Sequence, residues 1–436
     1  MIPVRMNAGR GKLLALKTDK FKIELLTLSM TFPVSPRKRS LCSLLFSTLK
    51  RGCVPYPDIA SLSRRLDDLY DANITTMLNP IGDSISAGFF CECLAKECAR
   101  GDEDLLGGTL DTLHKMLYEP LLDGNGNFRE KTVEIEKKNL CDSVRASEND
   151  PKYRAAMLCR EVMFRGEVSG LPQHESVERI MEITPRDISE FYREYLNISE
   201  PLFVYVGSRD ADEVKSLIEE YFPELGGASL EFIRPEIKKA PAEMRQVEEE
   251  MAVLQGKLTM GFRADIGAND PDRYATMLLN EIFGGSPASK LFKNVREKQS
   301  LCYSCSSIYN YNKGAIFVQS GISNENKERV IGEIASQFDD IKNGNISEYE
   351  LICAKRSIEN SVRQSLDSPY SIEHFYRARI ISGINETQDD IISALANIEK
   401  NDVARAASRF GADTCAFIRG TLAGGGEYDE ESEYDE

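Results

Sequence analysis

The 436 residues contain no tryptophan and only three histidines, at positions 114, 174 and 374. None of the three has a second histidine at metal-motif spacing, which argues against a histidine-based metal centre built by this chain alone. Each is expected as a surface or hydrogen-bonded core residue. Basic clusters are also scarce: 54 Lys and Arg face 70 Asp and Glu, a net charge of −16, and the one basic run is Arg37-Lys38-Arg39. Neutralising phosphates needs a cationic face, so nucleic acid is excluded as a partner. No stretch approaches the ~18 apolar residues of a membrane span. The patch from Leu13 to Leu16 is too short for a signal core, so no membrane partner is expected.

Cysteine is present but lacks a framework. Its odd total of 11, scattered along the chain, suits small core thiols in a reducing compartment, and a cytoplasmic location is expected. Cys302-x-x-Cys305 has redox spacing but falls in an expected strand, not at a helix start that would lower a thiol pKa. Cys91, Cys93 and Cys98 have no second pair to complete a zinc set. Gly284-Gly285 is followed by no Gly-Lys-Ser/Thr, so it reads as a turn and not a phosphate loop.

The composition, 42% hydrophobic and 28% charged, fits a soluble globular protein of two large domains. Residues 21–32 alternate as a strand, and Ser35-Pro36 opens a helix that stops at Gly52. A helix at 58–70, strands at 73–78 and 84–91, and helices near 103–117 and 127–164 follow. Thr184-Pro185 opens another helix, then come a strand at 202–206 and a helix at 210–221. Residues 233–250, rich in charge with Pro235 and Pro241, read as a linker.

Beyond the linker the same order returns. The strand at 256–265 answers 21–32, and the helix at 271–285 answers the one ending at Gly52. The helix at 289–298 answers 58–70, and the strands at 303–309 and 315–321 answer 73–91. The helical region 347–382, broken at Ser368-Pro369, answers the one broken at Asp150-Pro151, and 398–418 answers 184–206. The expected fold is α+β: two duplicated domains, each a mainly antiparallel sheet with helices on one face, together forming a clamshell half. Their bounds are 1–235, a linker at 236–250, 251–422, and an acidic tail at 423–436 that follows Gly424-Gly425-Gly426.

The stretch Leu279-Asn280-Glu281-Ile282-Phe283-Gly284-Gly285, continuing from Ser289 through Arg296 to Tyr303-Ser304, resembles the second-domain signature of the pitrilysin/insulinase (inverted zincin) peptidase superfamily. With the duplication, the resemblance covers residues 20–420. It implies that Arg296 and Tyr303 reach a substrate backbone and the developing oxyanion, roles that suit a cationic fork and a phenolic donor. The bland alternative is an Arg296 paired with a neighbouring acid and a half-buried strand tyrosine.

The family's first domain carries His-x-x-Glu-His on one helix, with a Glu ligand downstream. Two histidines at i and i+4 face one metal, and a third ligand leaves a position open for water. The matching positions here are Ser43, Phe46 and Ser47, with Ser143 at the distant ligand, next to Asp142; Glu136 matches the first of two acids seven residues apart. No metal or cofactor is therefore expected on this chain, and zinc only on a partner. The resemblance implies a subunit inactive alone, paired with a homologous zinc-bearing peptidase chain around a shared peptide or protein substrate. A heterodimer is expected, with a homodimer in isolation. Residues 66–72, Leu-Asp-Asp-Leu-Tyr-Asp-Ala, resemble the inactive chain of bacterial two-subunit pairs associated with elongation factor P modification. The competing expectations are a non-catalytic scaffold or peptide-binding protein of peptidase fold, and an active enzyme with a relocated metal site.

Overall fold

A computed structural model describes residues 3–101, 103–228 and 235–422. Among these residues, eleven strands form two sheets. The first holds β1 (Val4–Ala8), β2 (Gly11–Lys17), β3 (Ile23–Pro33), β4 (Asn73–Ile81), β5 (Ser84–Leu94) and β6 (Leu202–Gly207) in the order β1-β2-β6-β3-β5-β4. The second holds β7 (Arg245–Met251), β8 (Gly256–Arg263), β9 (Ser304–Asn310), β10 (Ala315–Ile322) and β11 (Gly411–Gly420) in the order β7-β11-β8-β10-β9. Without β1 the two orders are equivalent. In each, the pair β2–β6 or β7–β11 is parallel and every following pair is antiparallel.

Local signals place the helices. Ser35 caps Pro36–Leu49, with Pro at the first turn, and Gly52 sits at φ +142°, where a side chain is strained. Asp58 closes a capping box on Ile59–Asp67, and Thr184 does the same on Pro185–Tyr195. Pro151 cannot donate to the preceding turn. The expected helix at 127–164 is therefore two, Glu130–Asn149 and Pro151–Met163, and the second half repeats the break as Glu348–Gln364 and Pro369–Ile381.

Each sheet buries one face against helices of its own half. Leu26, Leu28, Met30, Phe203 and Tyr205 pack with the Pro36–Leu49 and Leu105–Tyr118 helices, while Leu258, Met260 and Phe262 pack with Arg273–Asn280 and Lys327–Lys342. The opposite faces are covered too, each by one helix from the other half. Pro151–Met163 lies on β8 and β11, setting Ala155, Leu158 and Cys159 against Ala416 and Ile418. Pro369–Ile381 lies on β3 and β6. Every residue of β6 is accordingly buried, as an apolar run sandwiched on both sides should be. Buried ion pairs cross this seam, Arg263 to Glu167 at 2.7 Å and Lys313 to Asp83 at 2.8 Å; the wholly buried Arg377–Glu373 pair, 2.7 Å within one helix, reaches across it through its carboxylate, which accepts from Thr27 Oγ1 at 2.9 Å.

Three expectations are corrected. The first twenty residues were expected to hold only a short apolar patch, yet they form the β1–β2 hairpin, turned at Gly9 with φ +56°. The linker expected at 236–250 ends in β7, which pairs in parallel with β11. The Lys327–Lys342 and Gln388–Ala396 helices were not anticipated. The acidic tail at 423–436 lies outside the described residues.

Candidate functional site

The signature region folds as two π-helical stretches, Glu281–Gly285 and Leu291–Lys298, joined by a turn and followed by β9. Widened π turns are rare and concentrate at functional sites. Leu291 and Val295 anchor the second stretch in the core, so Arg296, the next residue round the helix, falls on the outer face and is exposed. Its guanidinium lies 4.7 Å from the ring of Phe292, one turn back, and among the described residues no carboxylate pairs with it. Ser300, at φ +49°, turns the chain towards β9. Tyr303 follows at 81% exposure, and its amide donates to Gly321 O at 3.3 Å. The bland alternative, a paired arginine and a half-buried tyrosine, is not what is found. Both side chains stand free where the second stretch gives way to β9, the terminal strand of its sheet.

Cys302 and Cys305 flank this point. Interaction with the Cys305 thiol, aided by the Ser320 hydroxyl and the Arg296 charge, outweighs burial and pulls the Cys302 thiol down to about 7. The lowering comes first from the neighbouring thiol, with the Ser320 hydroxyl and the nearby cation adding to it.

The Pro36–Leu49 helix presents Ser43 and Ser47 half-buried, one turn apart, while Phe46 points into the core with its ring 4.8 Å from Phe89 and 5.3 Å from Tyr195. On Glu130–Asn149, Glu136 is held by Arg51 and by Asn139 Nδ2 at 3.2 Å. Ser143 is exposed beside a cavity of about 280 Å³ that is also lined by Ser147, Tyr153, His174 and Glu175. The segment carrying His174 straps over the helix start: Arg39 donates to Gln173 at 3.4 Å, Arg37 to Glu175 at 3.2 Å, and the Glu175 amide to Ser40 Oγ at 3.1 Å. Burial, followed by the Arg39 charge, lowers the His174 imidazole to about 4, and its Nδ1 has no partner. These residues do not fit zinc. Neutral hydroxyls stand where the resemblance puts two imidazoles and a carboxylate as ligands, and a core phenyl ring where it puts the base. Among the described residues no three His, Cys, Asp or Glu side chains gather as a metal site.

Residues 182–358, which include Arg296 and Tyr303, match the family described as "Peptidase M16 inactive domain". Over 405 residues the chain is 29% identical to the "Probable inactive metalloprotease YmfF" of Bacillus subtilis (strain 168), covering 93% of this chain and 95% of that protein. The crystal structure of a conserved protein from Enterococcus faecalis V583 superposes with a TM-score of 0.87 at 22% identity, covering 96% of this chain and 98% of that one. A peptidase M16 inactive domain structure from Pseudomonas fluorescens superposes with a TM-score of 0.77 at 16% identity, covering 97% and 99%. The chain therefore has the fold of M16-type peptidases and, over nearly its whole length, is similar to a protein described as an inactive metalloprotease.

Proposed function

We propose that this chain is the non-catalytic subunit of a two-chain zinc peptidase. A homologous partner bearing His-x-x-Glu-His supplies the metal, and Arg296 and Tyr303 of this chain complete the shared site. The observation that carries this reading is the pairing of an unneutralised arginine with an 81% exposed tyrosine, seven residues apart, at the head of a terminal strand. Within this chain the guanidinium has only the Phe292 ring and no carboxylate among the described residues, and the Tyr303 ring is left to solvent. Both become useful against a peptide carbonyl whose oxygen turns anionic during attack. The Arg fork would hold the substrate backbone, and the Tyr303 hydroxyl would donate to the oxyanion. An extended peptide adding along a sheet edge needs only main-chain groups from the protein. The first half, residues 1–235, would then wall the chamber without metal of its own.

The resemblance of residues 66–72 favours as partner the zinc-bearing chain of an elongation factor P-associated pair, in the cytoplasm. Co-expression with that chain, followed by native mass measurement, tests the pairing. One copy of each chain with zinc bound in the partner is expected. A stable homodimer that ignores the partner would instead favour the scaffold alternative.

A further inference from the structure

A second cavity, of about 460 Å³, lies beside β9, and neither Arg296 nor Tyr303 lines it. Its walls come from the Arg273–Asn280 helix and its π-helical continuation, from β9, and from the Glu348–Gln364 and Pro369–Ile381 helices. Much of that wall is apolar, with Met277, Ile308, Ile358, Val362 and Phe375 contributing. This is the usual make-up of a small-molecule site, an apolar body with a few polar groups that fix orientation.

The polar groups fall into two sets. The first is already satisfied: Glu386 accepts from Arg273, from Tyr274 Oη at 2.7 Å and from Arg379 Nε at 3.1 Å. The two guanidiniums also lie against rings, Arg273 4.4 Å from Tyr274 and Arg379 3.4 Å from Phe375. The second set is not satisfied. Glu281 Oε2 and Tyr309 Oη are shielded from solvent and have no hydrogen-bond partner, and among the described residues Glu281 has no cation beside it. An orphaned carboxylate oxygen and an orphaned phenol in one cavity cost stability unless something else satisfies them.

The backbone is built around this carboxylate. Glu281 opens the π-helical turn that ends at Gly285, and a Cβ on Gly285 would stand 2.7 Å from both Glu281 Oε1 and Asn280 Nδ2. Burial pushes the Glu281 carboxyl up, with the Ser357 hydroxyl opposing only in part, which is the signature of a charge lacking its counter-ion.

We propose that this cavity binds a small organic ammonium, its apolar chain or ring against the aliphatic wall and its N–H groups donating to Glu281 Oε2 and Tyr309 Oη. The arginines do not make it an anion site, because Glu386 and the two rings already occupy them. A free amine and the amino terminus of a hydrophobic peptide present the same chemistry.

Calorimetric titration of the full chain at neutral pH with phenethylammonium, with 2-phenylethanol as the neutral control and with a hydrophobic dipeptide amide in parallel, tests this. The ammonium should bind with Kd of about 1 mM or tighter and at least about tenfold better than the alcohol. Tighter binding by the dipeptide amide assigns the site to peptide termini, and tighter binding by phenethylammonium assigns it to free amines. E281Q, which keeps the shape and should melt no lower than the parent, should abolish the preference for the charged ligand. Y309F should weaken binding to a lesser extent. Absence of binding by either amine up to about 10 mM, equal binding of amine and alcohol, or an undiminished preference in both E281Q and Y309F would overturn the proposal.

Discussion

At the scale of single residues, the positions where the resemblance puts a metal site lie in the core and near a strap of chain. Phe46 stands at the position where the resemblance puts a catalytic base, and it now packs between Phe89 and Tyr195. Phe46→Ala should therefore cost about 3–5 kcal/mol in urea denaturation, the penalty for emptying an aromatic core site. A vestigial surface position would give a change near zero. His174 makes the strap sensitive to acid. Its folded value of about 4 lies below the ordinary 6.5, so the unfolded chain takes up the proton first as pH falls. This contribution to stability is whole above about pH 6.5 and is lost progressively towards about 4. Urea midpoints measured between those limits should fall in the parent and fall less in His174→Asn. Equal slopes would show that the imidazole is not the group responsible. In the sequence, the resemblance alone puts Ser43, Ser47 and Ser143 at ligand positions. The strap over the start of the Pro36–Leu49 helix was not legible, because contacts such as Arg39 with Gln173 join residues more than a hundred positions apart and no local pattern announces them.

At the scale of elements, many of the local physical signals could be read, although the Thr387 capping box of the Gln388–Ala396 helix was passed over. Ser35-Pro36 and Thr184-Pro185 marked helix starts, helical spacing marked the one after Asp58, and Pro151 and Pro369 marked the breaks that separate the crossing helices from those before them. Strand β7 escaped because Arg-Gln-Val-Glu-Glu-Glu-Met carries the charge of a linker. It is a sheet edge whose acids discourage further pairing, and only its ladder to β11 reveals it. The β1–β2 hairpin escaped because its apolar stretch is short and its partner β6 lies nearly two hundred residues away. The crossing helices were visible as helices, but their destination on the opposite sheet was not. The Pro369–Ile381 helix brings Glu373 and Arg377 into the seam, where both side chains are fully buried. Replacing Glu373 with Gln strands the guanidinium, so a loss of about 3–5 kcal/mol is expected by chemical denaturation. A loss below about 1 kcal/mol would place the pair among contacts that water can replace.

At the scale of the whole molecule, the chain sets an exposed Arg296 and Tyr303 beside a terminal strand, and among its described residues no three His, Cys, Asp or Glu side chains gather as a metal site. The duplicated strand order and the helix that each half lends to the other make one body in which β9, Arg296 and Tyr303 sit on a firm support. Preorganisation of this kind is what a donor to a transient oxyanion requires, since donors already in place need no rearrangement as charge develops. The net charge of −16 and the exposed aromatic at Tyr303 fit a protein that meets another protein and a peptide, not a polyanion. The most direct test of the account is peptide cleavage by this chain co-purified with its zinc-bearing homologue, comparing the parent with Arg296→Ala and Tyr303→Phe. Both variants should assemble, with zinc loaded as in the parent, but lose about 10²-fold or more in kcat/KM, the scale of one oxyanion donor. Undiminished cleavage in both variants would contradict it.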